Sequence, residues 1–148
     1  GVLISEAINA YFDDKPFPGG LTYSGHPLAM GSIVATIDAM KEEGMVENAA
    51  KIGAEILAPA LHKLAEKYQV VGEVRGLGLF WAIELVSCRD KKTKFTAQEM
   101  NKVKQLCLDK GLLPFLAENR IHVAPPLIIS QEEMERGLAI LDEVLAAV

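Results

Sequence analysis

The sequence predicts an α+β domain in which helices pack on a small, antiparallel-rich sheet, preceded by a long linker helix. Three observations predict it. Apolar residues recur at helical spacing between positions 27 and 64. Short apolar runs between positions 70 and 123 read as strands. Two capping-box patterns, Thr96-Ala97-Gln98-Glu99 and Ser130-Gln131-Glu132-Glu133, each open an amphipathic stretch. With 148 residues, half of them hydrophobic, the chain can bury a real core at single-domain size.

The chain opens on Gly1-Val2-Leu3-Ile4, an apolar segment read as the middle of a strand, and so as the C-terminal part of something larger. Ile8, Tyr11 and Phe12 follow at helical spacing, and Asp13 to Gly20 is a turn-rich connector. From Pro27, the side chains of Met30, Ile33, Val34, Ile37 and Met40 share one helical face, and Gly44 is a natural stop. A second helical pattern runs from Val46 to Leu64, with Pro59 expected to kink or break it.

Val70 and Val71 begin a strand. Leu79 to Val86 is a nearly continuous apolar run, interrupted by Glu84, that suits a strand covered on both faces. The Thr96 box leads into a helix with Met100, Val103, Leu106 and Cys107 inward, ended by Gly111. Leu112 to Leu116 and Arg120 to Val123 read as short strands, and Pro125-Pro126 breaks the chain. The last helix turns Met134, Leu138, Leu141 and Leu145 inward.

A formal net charge of −5 with dispersed lysines and arginines gives no support for nucleic-acid binding. No apolar run approaches the roughly 20 residues that span a bilayer. Cys88 and Cys107 are too few and too far apart for a disulfide framework, which points to free thiols and a cytoplasmic protein. His26, His62 and His122 lack a second ligand at metal spacing, so no metal site is expected, and His62 reads as a surface side chain. No serine sits in a GxSxG elbow. Gly76-Leu77-Gly78 lies before a strand and reads as a turn or bulge rather than a phosphate loop.

The chemically richest stretch is Leu21-Thr22-Tyr23-Ser24-Gly25-His26-Pro27. Exposed hydroxyls and free amides before a helix suit an anion such as a phosphate. The same residues also make a plain helix start, with Ser24 as N-cap and Pro27 near the first helical position. Arg75 and Arg120 could each clamp a carboxylate through paired N–H donors, or form structural ion pairs with Glu73 or Glu118. His122 could recognise a substrate acid, or be structural.

Taken together, these segments resemble the C-terminal part of the class III aminotransferases, pyridoxal-phosphate enzymes of fold type I. The resemblance covers essentially the whole chain. Val2 to Glu6 with Ala10-Tyr11-Phe12 looks like the segment after the family's Schiff-base lysine. Thr22-Tyr23-Ser24-Gly25-His26-Pro27-Leu28-Ala29 matches its phosphate-loop signature. Val74 to Leu79 with Ile83-Glu84-Leu85 matches its small-domain strand pair, and Asn119 to Leu127 matches its closing motif.

The resemblance implies amino transfer from an amine or ω-amino acid to a keto acid, with pyridoxal 5'-phosphate as cofactor. It divides the chain into residues 1–25, the tail of a large cofactor-binding domain with the phosphate loop, and residues 26–148, the linker helix and small domain. Thr22 and Tyr23 would bind the cofactor across a homodimer interface. Leu21, Arg120 and His122 would lie on the substrate side. The lysine falls upstream of Gly1, and Lys15 is not its substitute, so the chain alone is expected to be inactive. Gly25-His26-Pro27 and Ile121 to Pro126 look most like ω-amino acid–pyruvate and taurine–pyruvate enzymes. Arginine is common in the family where His122 stands. Arg120 is expected on the opposite strand face from His122, and so is no automatic replacement. An aminomutase or a non-catalytic dimerisation module are the competing readings.

Overall fold

In the computed structural model, which describes residues 2–148, the chain forms two compact units, Gly1–Ala39 and Met40–Val148. The first holds α1 (Glu6–Tyr11) and most of α2 (Pro27–Glu42). Ser5 caps α1, its hydroxyl accepting from the Ile8 amide. The strand expected at the chain start does not form over residues 2–4, and Gly1 lies outside the described residues. A lone apolar segment has no neighbouring strand here to satisfy its amides and carbonyls, so the apolar run alone misleads. α2 starts at Pro27 and buries none of its residues; Met30, Ile33, Val34 and Ile37 are all exposed.

The second unit begins with α3 (Met45–Ile52), a widened π turn (Gly53–Leu57) and α4 (Ala58–Lys67). The widening answers Pro59. Its missing N–H and its ring are incompatible with the α-helical interior. The Ala58 amide instead reaches back five residues to the Gly53 carbonyl, and α4 starts with Pro59 in its first turn. Asn48 anchors α3 by donating to the carbonyls of Leu127 at 2.7 Å and Ile129 at 3.1 Å.

The sheet comprises β1 (Val71–Leu77), β2 (Phe80–Cys88), β3 (Thr93–Lys94), β4 (Phe115–Ala117) and β5 (Arg120–Val123). Its order is β1-β2-β5-β4, all neighbours antiparallel, with β3 on the end of β2. Trp81, Ile83 and Leu85 of β2 and Ile121 of β5 are buried. They share one core with Leu57, Leu61 and Leu64, with Met100, Val103 and Cys107 of α5 (Ala97–Asp109), and with Met134, Leu141, Val144 and Leu145 of α6 (Gln131–Ala146). Both predicted capping boxes are complete, at Thr96–Glu99 and Ser130–Glu133.

Two strand expectations need correction. β2 is not covered on both faces: Phe80 is 66% exposed while Trp81 beside it is buried. Strand alternation sends successive side chains to opposite faces, and only one face meets the helices. β4 begins at Phe115 rather than Leu112. The Leu112 amide is used by the Cys107 carbonyl at the end of α5, and Pro114 has no amide to give a ladder.

Candidate functional site

The phosphate-loop residues lie in the first unit as a compact turn. The Ser24 amide donates to Leu21 O at 3.0 Å and the His26 amide to Tyr23 O at 3.1 Å. Gly25 takes the left-handed conformation at φ +72°, with open space where a Cβ would stand. The His26 carbonyl accepts the first helical bond, from the Met30 amide, so His26 rather than Ser24 stands before Pro27 as the N-terminal boundary. Ser24 instead donates its amide inside the turn. Leu21, Thr22 and Tyr23 are exposed, and the Tyr23 and His26 rings lie 5.5 Å apart. An exposed hydroxyl, a left-handed glycine and the N-terminus of a 16-residue helix fit a phosphate, because helix starts present unpaired N–H groups and partial positive charge.

Arg120 and His122 lie in the second unit, on β5. Pairing of Ala82 with both Arg75 and His122, and of Glu84 with Arg120, places these side chains on the sheet face turned away from the core. Arg75, Phe80, Ala82, Arg120 and His122 line one cavity of about 330 Å³. The expectation that Arg120 and His122 face apart is therefore corrected. Side-chain direction repeats every second residue, so positions 120 and 122 share a face.

Both arginines are engaged by acids. Arg75 Nη1 lies 2.9 Å from Glu73 Oε2 and 3.3 Å from Glu84 Oε2. Arg120 Nη2 lies 3.6 Å from Glu118 Oε2, and its Nε donates to the Ala117 carbonyl at 3.4 Å. Two guanidiniums thus meet three carboxylates, which removes the excess positive charge a carboxylate clamp would offer.

His122 has a different surrounding. Its ring centroid lies 5.2 Å from that of Phe115 and 6.2 Å from that of Phe80. Its Nε2 is buried and has no hydrogen-bond partner among the described residues. Neither phenyl ring was picked out from the sequence. The signal was present at Glu118-Asn119: a two-residue hairpin turn there pairs Ala117 with Arg120 and so Phe115 with His122.

His62 is exposed and meets Trp81 edge-on at 5.7 Å. Gly78 and Leu79 make the β1–β2 turn, and the Gly78 carbonyl accepts from the Trp81 indole at 2.9 Å; the turn expected at Gly76-Leu77-Gly78 starts later, because Gly76 and Leu77 still pair with Trp81 and Phe80 at the end of β1. Cys88 and Cys107 are free, and burial pushes the Cys107 thiol up, away from nucleophile chemistry. Among the described residues no helix is long and apolar enough to cross a membrane.

A mixed helix and antiparallel-sheet unit, following a turn that fits a phosphate at the head of a long helix, defines the C-terminal region of a fold-type-I pyridoxal-phosphate enzyme. The chain belongs to the family described as aminotransferase class-III, whose sequence pattern matches residues 3–145. It superposes on taurine:2-oxoglutarate aminotransferase from Bifidobacterium kashiwanohense, solved with PLP and glutamate. The TM-score is 0.87 and the identity 34%, over 98% of this chain and 33% of that one. It is 36% identical over 135 residues to a 5-aminovalerate aminotransferase from Pseudomonas aeruginosa, covering 88% of this chain and 31% of the relative. It is also 32% identical over 131 residues to an (R)-1-hydroxy-2-aminoethylphosphonate ammonia-lyase from Vibrio splendidus, covering 88% and 27%. The chain therefore spans about a third of the length of these relatives.

Proposed function

We propose that the protein carrying this chain moves an amino group from an amine or ω-amino acid to a keto acid such as pyruvate, as a cytoplasmic homodimer. Pyridoxal 5'-phosphate, when bound, supplies the electron sink for this chemistry. Thr22 and Tyr23 hold its phosphate across the dimer interface, at the partner subunit's site, through the exposed hydroxyl and amides of the turn. Residues 1–25 act with the large cofactor-binding domain, and residues 26–148 form the linker helix and small domain. Leu21, Arg120 and His122 meet the substrate. No lysine among these 148 residues takes the family's catalytic position, so the chain alone transfers no amino group.

The observation that carries this reading is the family match itself. Its range, residues 3–145, takes in both the phosphate turn and the Asn119 to Pro126 motif, the two segments on which cofactor and substrate roles rest. The ammonia-lyase among the relatives favours one alternative, release of ammonia without an acceptor. The test is a donor and acceptor panel on the full-length, PLP-loaded protein. Taurine or 5-aminovalerate with pyruvate should yield alanine. Ammonia without any new amino acid would overturn transfer in favour of the lyase reading.

A further inference from the structure

We infer that Phe17 is a positioning residue for the phosphate turn: its ring, held between Phe12 and Gly19, fixes where the backbone enters Leu21-Thr22-Tyr23. The inference rests on the phosphate role proposed for Thr22. Every residue it uses lies in the first unit.

Tyr11, Phe12 and Phe17 form an edge-to-face aromatic chain. The ring centroids lie 5.0 Å apart between Tyr11 and Phe12 and 5.3 Å apart between Phe12 and Phe17, with interplanar angles of 87° and 89°. Such crossings set the positive edge of one ring against the negative face of the next. The Lys15 ammonium stands 3.9 Å from the Tyr11 centroid and closes the far end through a cation–π contact.

The near end is Gly19. A Cβ there would overlap Phe17 Cε1 and Cζ, so the ring fills the space that another residue's side chain would need. Phe17 is 68% exposed, so its ring serves this local contact and no core. Pro16 and Pro18 restrict the backbone on either side, and Pro18 also confines Phe17 to extended conformations. Only Gly20 separates this staple from Leu21. Without the ring contact, Gly19-Gly20 would sample many conformations. Holding a phosphate would then require ordering them, which costs affinity. The staple orders the approach before any ligand arrives.

The experiment titrates PLP into full-length apoprotein, follows the visible absorbance, and records the thermal midpoint of the same apoprotein. Phe17→Ala should raise the PLP Kd about fivefold, the scale of one ordering cost. Gly19→Ala should raise it similarly, because its methyl displaces the ring. The Phe17→Ala, Gly19→Ala double variant should bind no more weakly than Phe17→Ala, since no ring is left to displace. Midpoints should stay within about 2 °C of wild type, because the ring is exposed. An unchanged Kd in either single variant, additive effects in the double, or a Kd rise matched by a lower midpoint overturns the positioning role. Thr22→Ala is titrated alongside. If it weakens PLP binding and Phe17→Ala does not, the positioning inference alone fails. If Thr22→Ala binds PLP as the wild type does, the phosphate role fails and this inference with it.

Discussion

Asn119 and Leu85 exchange two hydrogen bonds. The Asn119 side-chain amide donates to Leu85 O at 2.8 Å, and the Leu85 amide donates to Asn119 O at 2.8 Å. Asn119 is 2% exposed, the buried polar residue of the described core, and it locks the β4–β5 turn to β2. That turn presents Arg120 and His122, so a structural bond sets the position of the candidate substrate side. The Leu85 carbonyl also accepts from the Phe95 amide at 3.2 Å, so removing the side-chain donor leaves it still partnered. Asn119→Ala should therefore cost about 1.5 kcal/mol, within the range for a lost buried hydrogen bond, measured by urea unfolding.

The neighbouring turn residue predicts a gain. Glu118 holds φ +54°, a conformation costly for a side chain with a Cβ. Its contacts to Lys94 at 3.3 Å and Arg120 at 3.6 Å are exposed and contribute little. Glu118→Gly should stabilise the protein by roughly 0.5–1 kcal/mol in the same unfolding assay. A loss would mean the ion pairs matter more than the backbone.

Gly53 predicts the reverse. The first residue of the π turn packs its backbone on the β1–β2 turn, and a Cβ there would overlap the Gly78 carbonyl and Cα. Both partners are main chain, so neither can swing aside. Gly53→Ala should destabilise by about 2 kcal/mol or more, despite alanine's better helix propensity. Circular dichroism melts of the variant would show whether strain or propensity wins.

The capping boxes predict an acid limb. Hydrogen bonds from the Thr96 backbone and hydroxyl hold the Glu99 carboxyl below its ordinary range, and those from Ser130 do the same for Glu133. Lys67 and Tyr68 likewise lower Asp142 through side-chain hydrogen bonds. A group lowered on folding stabilises the folded state above its unfolded pKa. That contribution is lost as pH falls through its folded pKa. The thermal midpoint should thus be level near neutrality and fall below about pH 4.5. Glutamine can keep both boxes without titrating, so the Glu99→Gln, Glu133→Gln double variant should flatten the fall. An unchanged slope would assign the acid limb to other carboxylates.

Thr22 predicts a cofactor effect. If its exposed hydroxyl holds phosphate, Thr22→Ala in the full-length protein should weaken PLP binding about tenfold, equivalent to about 1.4 kcal/mol. Cofactor retained through dialysis, followed by its visible absorbance, reads this directly. Unchanged retention would end the phosphate role of Thr22.

Much of the fold was legible because it follows local rules. The Thr96 and Ser130 boxes mark the starts of α5 and α6 to the residue, and Pro59 foretells the disturbance before α4. The strand environment was not legible, because an apolar run such as Leu79 to Val86 records hydrophobicity and not which face meets helices. At the candidate site, the positions of Arg120 and His122 were visible, and so were Glu73 and Glu118 as acids two residues from Arg75 and Arg120. Glu84 beside Arg75 and the rings around His122 were not, because they come from cross-strand register. The pairing of Phe115 with His122 depends on the Glu118-Asn119 turn, which lies outside any single strand.

The π turn has a consequence for how α3 is aimed. An α-helix advances about 100° per residue, so the extra residue accommodated at Gly53–Leu57 sets the angular phase of everything before it. Deleting one residue there would let an ordinary helix run straight through. α3 would then rotate by about 100° around its own axis. Asn48 would swing away from the Leu127 and Ile129 carbonyls, and the stretch after Pro125-Pro126 would lose its tether. The wide turn acts as a phase adjuster, dialling one helix onto a loop almost eighty positions further along the chain.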